Sequence, residues 1–313
     1  MSAWALRDIP SQRDRRVVIT GATGGLGYET ALALAGAGAD VLLTGRNAAK
    51  GEAALARIHA TYPIATIRYA NLDLADLKSV AGFADQMAGE REAIDLLVNN
   101  AGVMTPPTRN ETRDGFELQF GTNYLGHFAL TARLLPLLRK GNETRIVHLS
   151  SAAHRLLAAI HFDDLQWRKT YRPWGAYAQS KLAMILFAFE LQRRSDANGW
   201  GLMSNAAHPG FARTDLIANG PGANSLMSQL GRFVQPLISQ SAAAGALPTL
   251  FAATSPDAKL AGYYGPNGFY EMKGPPVPAK IMPQAKDADS AAQLWDVSAA
   301  LTGVSFAPVA AAA

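Results

Sequence analysis

The chain has 313 residues, of which 49% are hydrophobic and 17% charged, with a formal net charge of +4. That length fits one large α/β domain, and the apolar content excludes a disordered chain. The absence of cysteine excludes disulfides, thiol catalysis and cysteine-ligated zinc, and it fits a reducing compartment.

Arg7, Arg13, Arg15 and Arg16 gather positive charge ahead of the first apolar run. Residues 1–15 read as a solvated leader rather than a nucleic-acid or lipid contact. The first sixteen residues lack the apolar core of a signal peptide, and no uninterrupted apolar run reaches about 18 residues. The expectation is a cytoplasmic protein without a membrane anchor.

From Arg16 onward, short apolar runs at 17–20, 40–44, 65–69, 94–98, 145–149 and 202–206, with a possible seventh at 262–264, read as strands. Helical patterns lie at 26–35, 48–59, 77–90, 114–138, 174–194 and 240–254. This alternation predicts an α/β fold: one Rossmann-type domain over 16–306, with a doubly wound parallel sheet of about seven strands and helices on both faces. Segments 152–173 and 217–236 break the rhythm, each after a strand, where open α/β sheets bind ligands. Their apolar residues (Leu156, Leu157, Trp167, Trp174, Leu226, Met227 and Phe233) form either core or a substrate lid, and their position favours a lid. The Ala-rich segment 307–313 reads as a fraying tail.

The first strand runs into Thr20-Gly21-Ala22-Thr23-Gly24-Gly25-Leu26-Gly27 and a helix follows. Glycines at 21, 25 and 27 permit a tight turn and close approach of a pyrophosphate, and the helix start offers unpaired N–H groups. A dinucleotide site is expected there. The second strand ends in Thr44-Gly45-Arg46-Asn47, with Lys50 one turn on. An acid at this point would bind both ribose hydroxyls of NAD. Gly45 stands there instead, followed by an arginine suited to a 2′-phosphate, so NADP(H) is favoured over NAD(H). The other reading of Arg46 is a solvated residue at a helix start. Asp73, beside Leu74, either bonds the adenine amino group or caps the next helix. Asn99-Asn100-Ala101-Gly102 supplies small residues where the backbone can approach a cofactor.

Tyr177 and Lys181 lie four apart in a helical pattern, on one face and one turn from each other. A phenol and an ammonium so placed can act as one proton-transfer unit. Ser151 and Ser150 follow the fifth strand, and Asn123 lies in a helical stretch that it can bend or break. His127, His148, His154, His161 and His208 show no metal-ligand spacing, and no Gly-x-Ser-x-Gly elbow surrounds Ser151.

Taken together, the glycine turn, Asn99-Asn100-Ala101-Gly102, Ser151, Tyr177-x3-Lys181 and His208-Pro209-Gly210 resemble the short-chain dehydrogenase/reductase family from about Arg16 to Phe306. Three markers are similar to the branch holding retinol dehydrogenases, WW-domain oxidoreductase and protochlorophyllide reductase. They are Gly45-Arg46-Asn47-x2-Lys50-Gly51, the run from Phe120 to Phe128, and Leu301-Thr302-Gly303-Val304. The interval from Ser151 to Tyr177 exceeds the usual family spacing, and the branch carries a comparable insertion. The lack of an N-terminal apolar anchor weighs against a retinoid substrate.

The resemblance implies an Asn123–Ser151–Tyr177–Lys181 catalytic set, with Ser151 rather than Ser150 as the substrate-oxygen donor. It also implies cofactor contacts from Gly21, Thr23, Gly25, Leu26, Gly27, Arg46, Asn47, Asp73, Leu74, Asn100, Ala101, Gly102, Tyr177, Lys181, Pro209, Gly210 and Thr214. Asn123 would hold a water beside Lys181. An ammonium about 4 Å from the phenol, at an effective dielectric of about 20, favours the phenolate by up to about 4 kcal/mol. Lys181 is therefore expected to pull the Tyr177 pKa down. The implied reaction is hydride transfer between NADP(H) and a carbonyl or alcohol of a fairly apolar substrate. Carbon–carbon double-bond reduction and a non-catalytic NADP-binding regulator are the alternatives, and a homo-oligomer is possible for the family.

Overall fold

A computed structural model of the chain describes residues 3–155, 158–212 and 239–306. Seven strands run parallel: β1 (Arg16–Ile19), β2 (Asp40–Gly45), β3 (Ile67–Asn71), β4 (Leu96–Asn99), β5 (Arg145–Leu149), β6 (Met203–Ala207) and β7 (Tyr263–Pro266). An eighth, β8 (Pro276–Pro278), pairs antiparallel with β7. The order is β3-β2-β1-β4-β5-β6-β7-β8, so the chain reverses direction across the sheet between β1 and β4. That reversal opens a crevice at the carboxyl ends of these strands.

Alternate strand residues feed two cores. Val17 and Ile19 point to one face, with α1 (Gly25–Gly36), α2 (Ala48–Thr61) and α6 (Ala242–Thr254). Val18 and Leu97 point to the other, against α3 (Leu77–Glu90), α4 (Gly126–Leu138), α5 (Pro173–Asn198) and α7 (Ala288–Thr302). Cover on both faces explains why these strands read as continuous apolar runs rather than alternating ones. On the second face Phe128, Phe187, Trp295 and Phe306 pack ring against ring, with Trp295 and Phe306 only 4.3 Å apart. The C-terminal stretch is thereby part of the core.

Several expectations change. β8 and α7 were not anticipated, although Asp287 caps α7 through the amides of Asp289 and Ser290, and Gly303 ends it at φ 66°. The helix expected from 114 starts only at Leu118 and contains a π turn, Phe120–Leu125, around Asn123. Residues 3–15 are mostly exposed yet tied down: Trp4 packs edge-on against Phe251, and Gln12 is buried. In the first insertion Ala158 and Leu165 are buried in the core, and Trp167 packs on Gly175 of α5. Ala158 and Leu165 thus anchor the segment to the core, while most of its other described residues are half-buried or exposed. Leu156, Leu157, Thr214, segment 217–236 and tail 307–313 lie outside the described residues.

Candidate active site

The crevice holds a cleft of about 530 Å³ that runs from the β1–α1 turn to Pro209–Ala212. At its first end Gly21 has φ +63°, and a Cβ there would lie 2.9 Å from Ala101. A Cβ on Gly27 would collide with the Gly21 carbonyl. Only glycine satisfies both positions, because each needs a left-handed backbone or a missing side chain. Asn100 clamps this turn: its Nδ2 donates to the Thr20 carbonyl at 2.7 Å and the Gly21 carbonyl at 3.2 Å. Thr20 Oγ1 accepts the amides of Asn100 and Ala101 at 2.8 and 2.9 Å. Thr23, Gly25 and Leu26 line the same end.

Arg46 and Lys50 line the cleft next to the end of β2 and are exposed. Thr23 Cγ2 lies 3.0 Å from where a Gly45 Cβ would be, so Thr23 fills the space a larger residue at 45 would need. Asn47 does not line the cleft; its side chain caps α2 by accepting the Lys50 amide at 3.0 Å. Asp73 and Leu74 do line it. The cap of α3 is Asp76, not Asp73, whose Oδ1 instead accepts the Ala75 amide at 3.0 Å.

At the other end Ser151, Tyr177 and Lys181 share the wall of the cleft with Gly102, Pro209 and Gly210. Both Tyr177 and Lys181 rise from the first turns of α5, which starts with Pro173 at a position where a missing N–H costs nothing. Ser150 and Ser151 are distinguished by their partners. Ser150 is buried and donates to the Lys181 carbonyl at 2.8 Å, whereas Ser151 faces the Tyr177 hydroxyl. Lys181 Nζ donates to the Leu149 carbonyl at 3.1 Å and lies 5.8 Å from the Tyr177 ring centre. Trp174, 48% exposed, packs its ring 5.7 Å from that of Tyr177 and closes the cleft on this side.

Asn123 lies behind this wall, fully buried in the π turn. Its Oδ1 accepts the Val103 amide at 2.7 Å, and its Nδ2 donates to the Val103 carbonyl and Ser180 Oγ, both at 3.0 Å. These bonds tie the loop after β4 to α5. A Cβ on Gly102 would sit a tight 3.2 Å from Asn123 Oδ1 and 3.5 Å from Lys181 Nζ, so glycine leaves room beside both groups. The Asn123 carbonyl accepts from His127 Nδ1 at 2.8 Å, which leaves Nε2 to accept the Thr20 hydroxyl at 2.8 Å. Burial pushes the His127 pKa down to about 3, keeping the ring neutral. His127, which in the sequence stands only within the Phe120–Phe128 run and shows no metal-ligand spacing, links the π turn to the glycine turn. Its signal was its place four residues after Asn123.

The Tyr177 pKa moves against expectation. Burial raises it above 10, and the Ser151 hydrogen bond offsets only part of that. Burial likewise lowers Lys181 to about 8. The ammonium does not bond the phenol, so its field does not overcome the loss of water around either group. Further wall residues that the sequence did not single out are Leu72, Val103, Met104, Thr122, Phe211 and Ala212.

The family model described as short chain dehydrogenase matches residues 15–221. Mouse retinol dehydrogenase 13 is 42% identical over 94% of this chain and 85% of its own length. Mouse polyprenol dehydrogenase is 38% identical over 94% of this chain and 86% of its own. A crystal structure of a protein from Mycobacterium paratuberculosis is 40% identical with a TM-score of 0.81, covering 98% of this chain and all of that one. A Burkholderia cenocepacia short chain dehydrogenase solved in complex with NADP is 25% identical with a TM-score of 0.61, covering 78% of this chain and 92% of the other. The chain therefore belongs to the short-chain dehydrogenase family and is an oxidoreductase of that family.

Proposed function

We propose that this protein transfers a hydride between NADP(H) and the carbonyl or alcohol carbon of a fairly apolar small molecule, with Tyr177 as acid and base. The observation that carries the reading is one continuous cleft with the glycine turn and Arg46 at one end and Ser151, Tyr177 and Lys181 at the other. The nicotinamide, when bound, supplies or accepts the hydride. Gly21, Gly25 and Gly27 leave room for the pyrophosphate, and the start of α1 presents its amides to it. Arg46 and Lys50 offer cationic groups to a 2′-phosphate. Asp73 faces the cleft for the adenine, while Asn100, Ala101, Gly102, Pro209 and Gly210 border the nicotinamide half.

For carbonyl reduction a proton must reach the developing alkoxide. Tyr177, held protonated by burial, donates it, and Ser151 donates a hydrogen bond to the same oxygen as charge grows there. Lys181, with its pKa near 8, still carries a proton at neutral pH and stabilises the resulting phenolate. Trp174, Met104, Val103 and Phe211 give the substrate a largely apolar wall. Among the described residues no helix is long and apolar enough to cross a membrane; a cytoplasmic location is part of this reading.

The test is incubation of purified protein with NADPH or NADH and a panel of apolar aldehydes and ketones, following the nicotinamide absorbance. Turnover with NADPH supports the proposal. Tight NADPH binding with no turnover on any carbonyl would sink it in favour of a regulator.

A further inference from the structure

Behind the nicotinamide end of the cleft, a carboxylate from a distant part of the chain joins the loops that carry the site. Glu271 closes a short 3₁₀ turn, Phe269–Glu271, in the connection between β7 and β8. Tyr270 and Glu271 sit at φ 50° and 56°. Two successive non-glycine residues in the left-handed region are costly and persist only where surrounding contacts enforce them. The distortion sends Phe269 and Tyr270 into solvent and turns Glu271 inward.

There the carboxylate meets three partners. Its Oε2 accepts from His208 Nε2 at 2.8 Å and pairs with the Arg155 guanidinium, while Oε1 accepts the Lys280 amide at 2.9 Å. His208 directly precedes Pro209-Gly210, and Arg155 ends the short turn (Ala152–Arg155) that begins one residue after Ser151. The same turn is held by His154, whose Nδ1 bonds the Ser151 carbonyl at 2.7 Å.

The bonding fixes the state of His208. Its Nε2 faces a carboxylate and so carries the proton, which leaves Nδ1 as an acceptor for the Gly210 amide at 3.2 Å. Gly210, at φ +63°, lines the cleft, and a Cβ on it would strike the Met272 carbonyl, from the residue after Glu271. The Met272 carbonyl also accepts the Phe211 amide at 2.8 Å. A His208 with its proton on Nδ1 would set two donors against each other at Gly210.

We propose that Glu271 is a positioning residue: it holds His208 in the tautomer that accepts the Gly210 amide, and through Arg155 it fixes the turn after Ser151, so that both walls of the hydride-transfer end are set by one carboxylate. The inference rests on the reductase reading for its kinetic consequence but not for its structural one. Burial keeps the His208 ring below its ordinary pKa, in keeping with a neutral imidazole at this position.

The experiment compares the full-length wild type with Glu271→Gln and Glu271→Ala. Nitrogen-15 NMR of histidine-labelled protein reads the His208 tautomer, and steady-state kinetics with titrated NADPH read kcat and cofactor affinity separately. In the wild type the proton should sit on Nε2. Glu271→Gln keeps an acceptor oxygen for that proton, so it should retain the tautomer and keep kcat within about threefold. Glu271→Ala should lose the single tautomer, and kcat should fall on the order of 10- to 100-fold with NADPH affinity changed by less than about threefold. If the alanine variant does not fold, a Glu271→Leu/Arg155→Leu double variant removes the unpaired cation and takes its place.

A wild-type His208 protonated on Nδ1 would overturn the proposal. So would an alanine variant with unchanged kcat, or a glutamine variant whose kcat falls as far as that of the alanine variant. A wild type that turns over no carbonyl defeats the reductase reading, while the NMR result still decides the role of Glu271.

Discussion

Lys181 stands at a cost to the fold that can be measured directly. Its side chain is 5% exposed, its Nζ donates to the Leu149 carbonyl, and among the described residues no carboxylate pairs with it. Burial lowers its pKa from 10.5 to about 8, which corresponds to about 3 kcal/mol of destabilisation while the group is charged in the folded state. Between these two pKa values the unfolded chain holds more protons than the folded one, so stability rises with pH across that window. The cost is present in full below pH about 8 and gone above about 10.5. Replacing Lys181 with Met keeps the length of the side chain and removes the charge. It also leaves the Leu149 carbonyl one donor short, worth about 1 kcal/mol. At pH 7 the cofactor-free Lys181→Met protein should therefore be more stable than the wild type by about 2 kcal/mol, or about 3 °C in Tm for a chain of this size. Denaturant unfolding at pH 7 and again at pH 10 measures both terms. The advantage should shrink or reverse at the higher pH, and the variant should have lost most of its turnover. A variant no more stable at pH 7, or one whose advantage stays constant with pH, refutes the reasoning.

Tyr177→Phe should lower kcat by about 10²- to 10⁴-fold, with NADPH binding nearly unchanged when followed by fluorescence titration. Because burial raises the Tyr177 pKa and lowers that of Lys181 to about 8, reductive kcat/KM should stay flat through neutral pH and begin to fall above about pH 8, where the charge that stabilises the phenolate is lost before Tyr177 gives up its own proton. Arg46→Ala should raise the KM for NADPH by about tenfold or more and leave that for NADH nearly unchanged, since only the phosphorylated cofactor uses the charge. Ser151→Ala should depress kcat far more than thermal stability, although its hydroxyl also accepts the Ala153 amide at 3.2 Å. Ser150→Ala, which strips a buried bond from the Lys181 carbonyl, should lower Tm in differential scanning calorimetry before it affects chemistry.

What could be read from the sequence was local. The glycine turn, the small residues after β4 and the Tyr177–Lys181 interval are defined over a few residues, and backbone sterics or helix geometry dictate their consequences directly. The strand and helix alternation up to β6 follows from apolar runs that both cores require. Long-range pairing stayed hidden. Nothing near Glu271 announces a bond to His208, 63 residues earlier, and Asp73 and Asp76 compete for one cap in a stretch where either spacing is plausible. The Tyr177 pKa went the other way because sequence spacing supplies the neighbouring charge but not the depth of burial. β8 was invisible for a different reason: two prolines in three residues argue against a strand, and only pairing with Tyr264–Pro266 makes it one. The α7 helix, by contrast, had its cap and its terminal glycine in plain view.

That proline-flanked strand bears on how molecules of this protein meet. A sheet ends where its last strand leaves N–H and C=O groups unpaired, and such a border recruits strands from other chains. Here one border is β8, where two of three residues lack an N–H to offer. The opposite border, β3, carries Arg68, whose guanidinium lies 3.2 Å from Asp40 on the neighbouring strand. Among the described residues, the β8 border is therefore a poor template for lateral growth, and the charged side chain on β3 discourages it at the other.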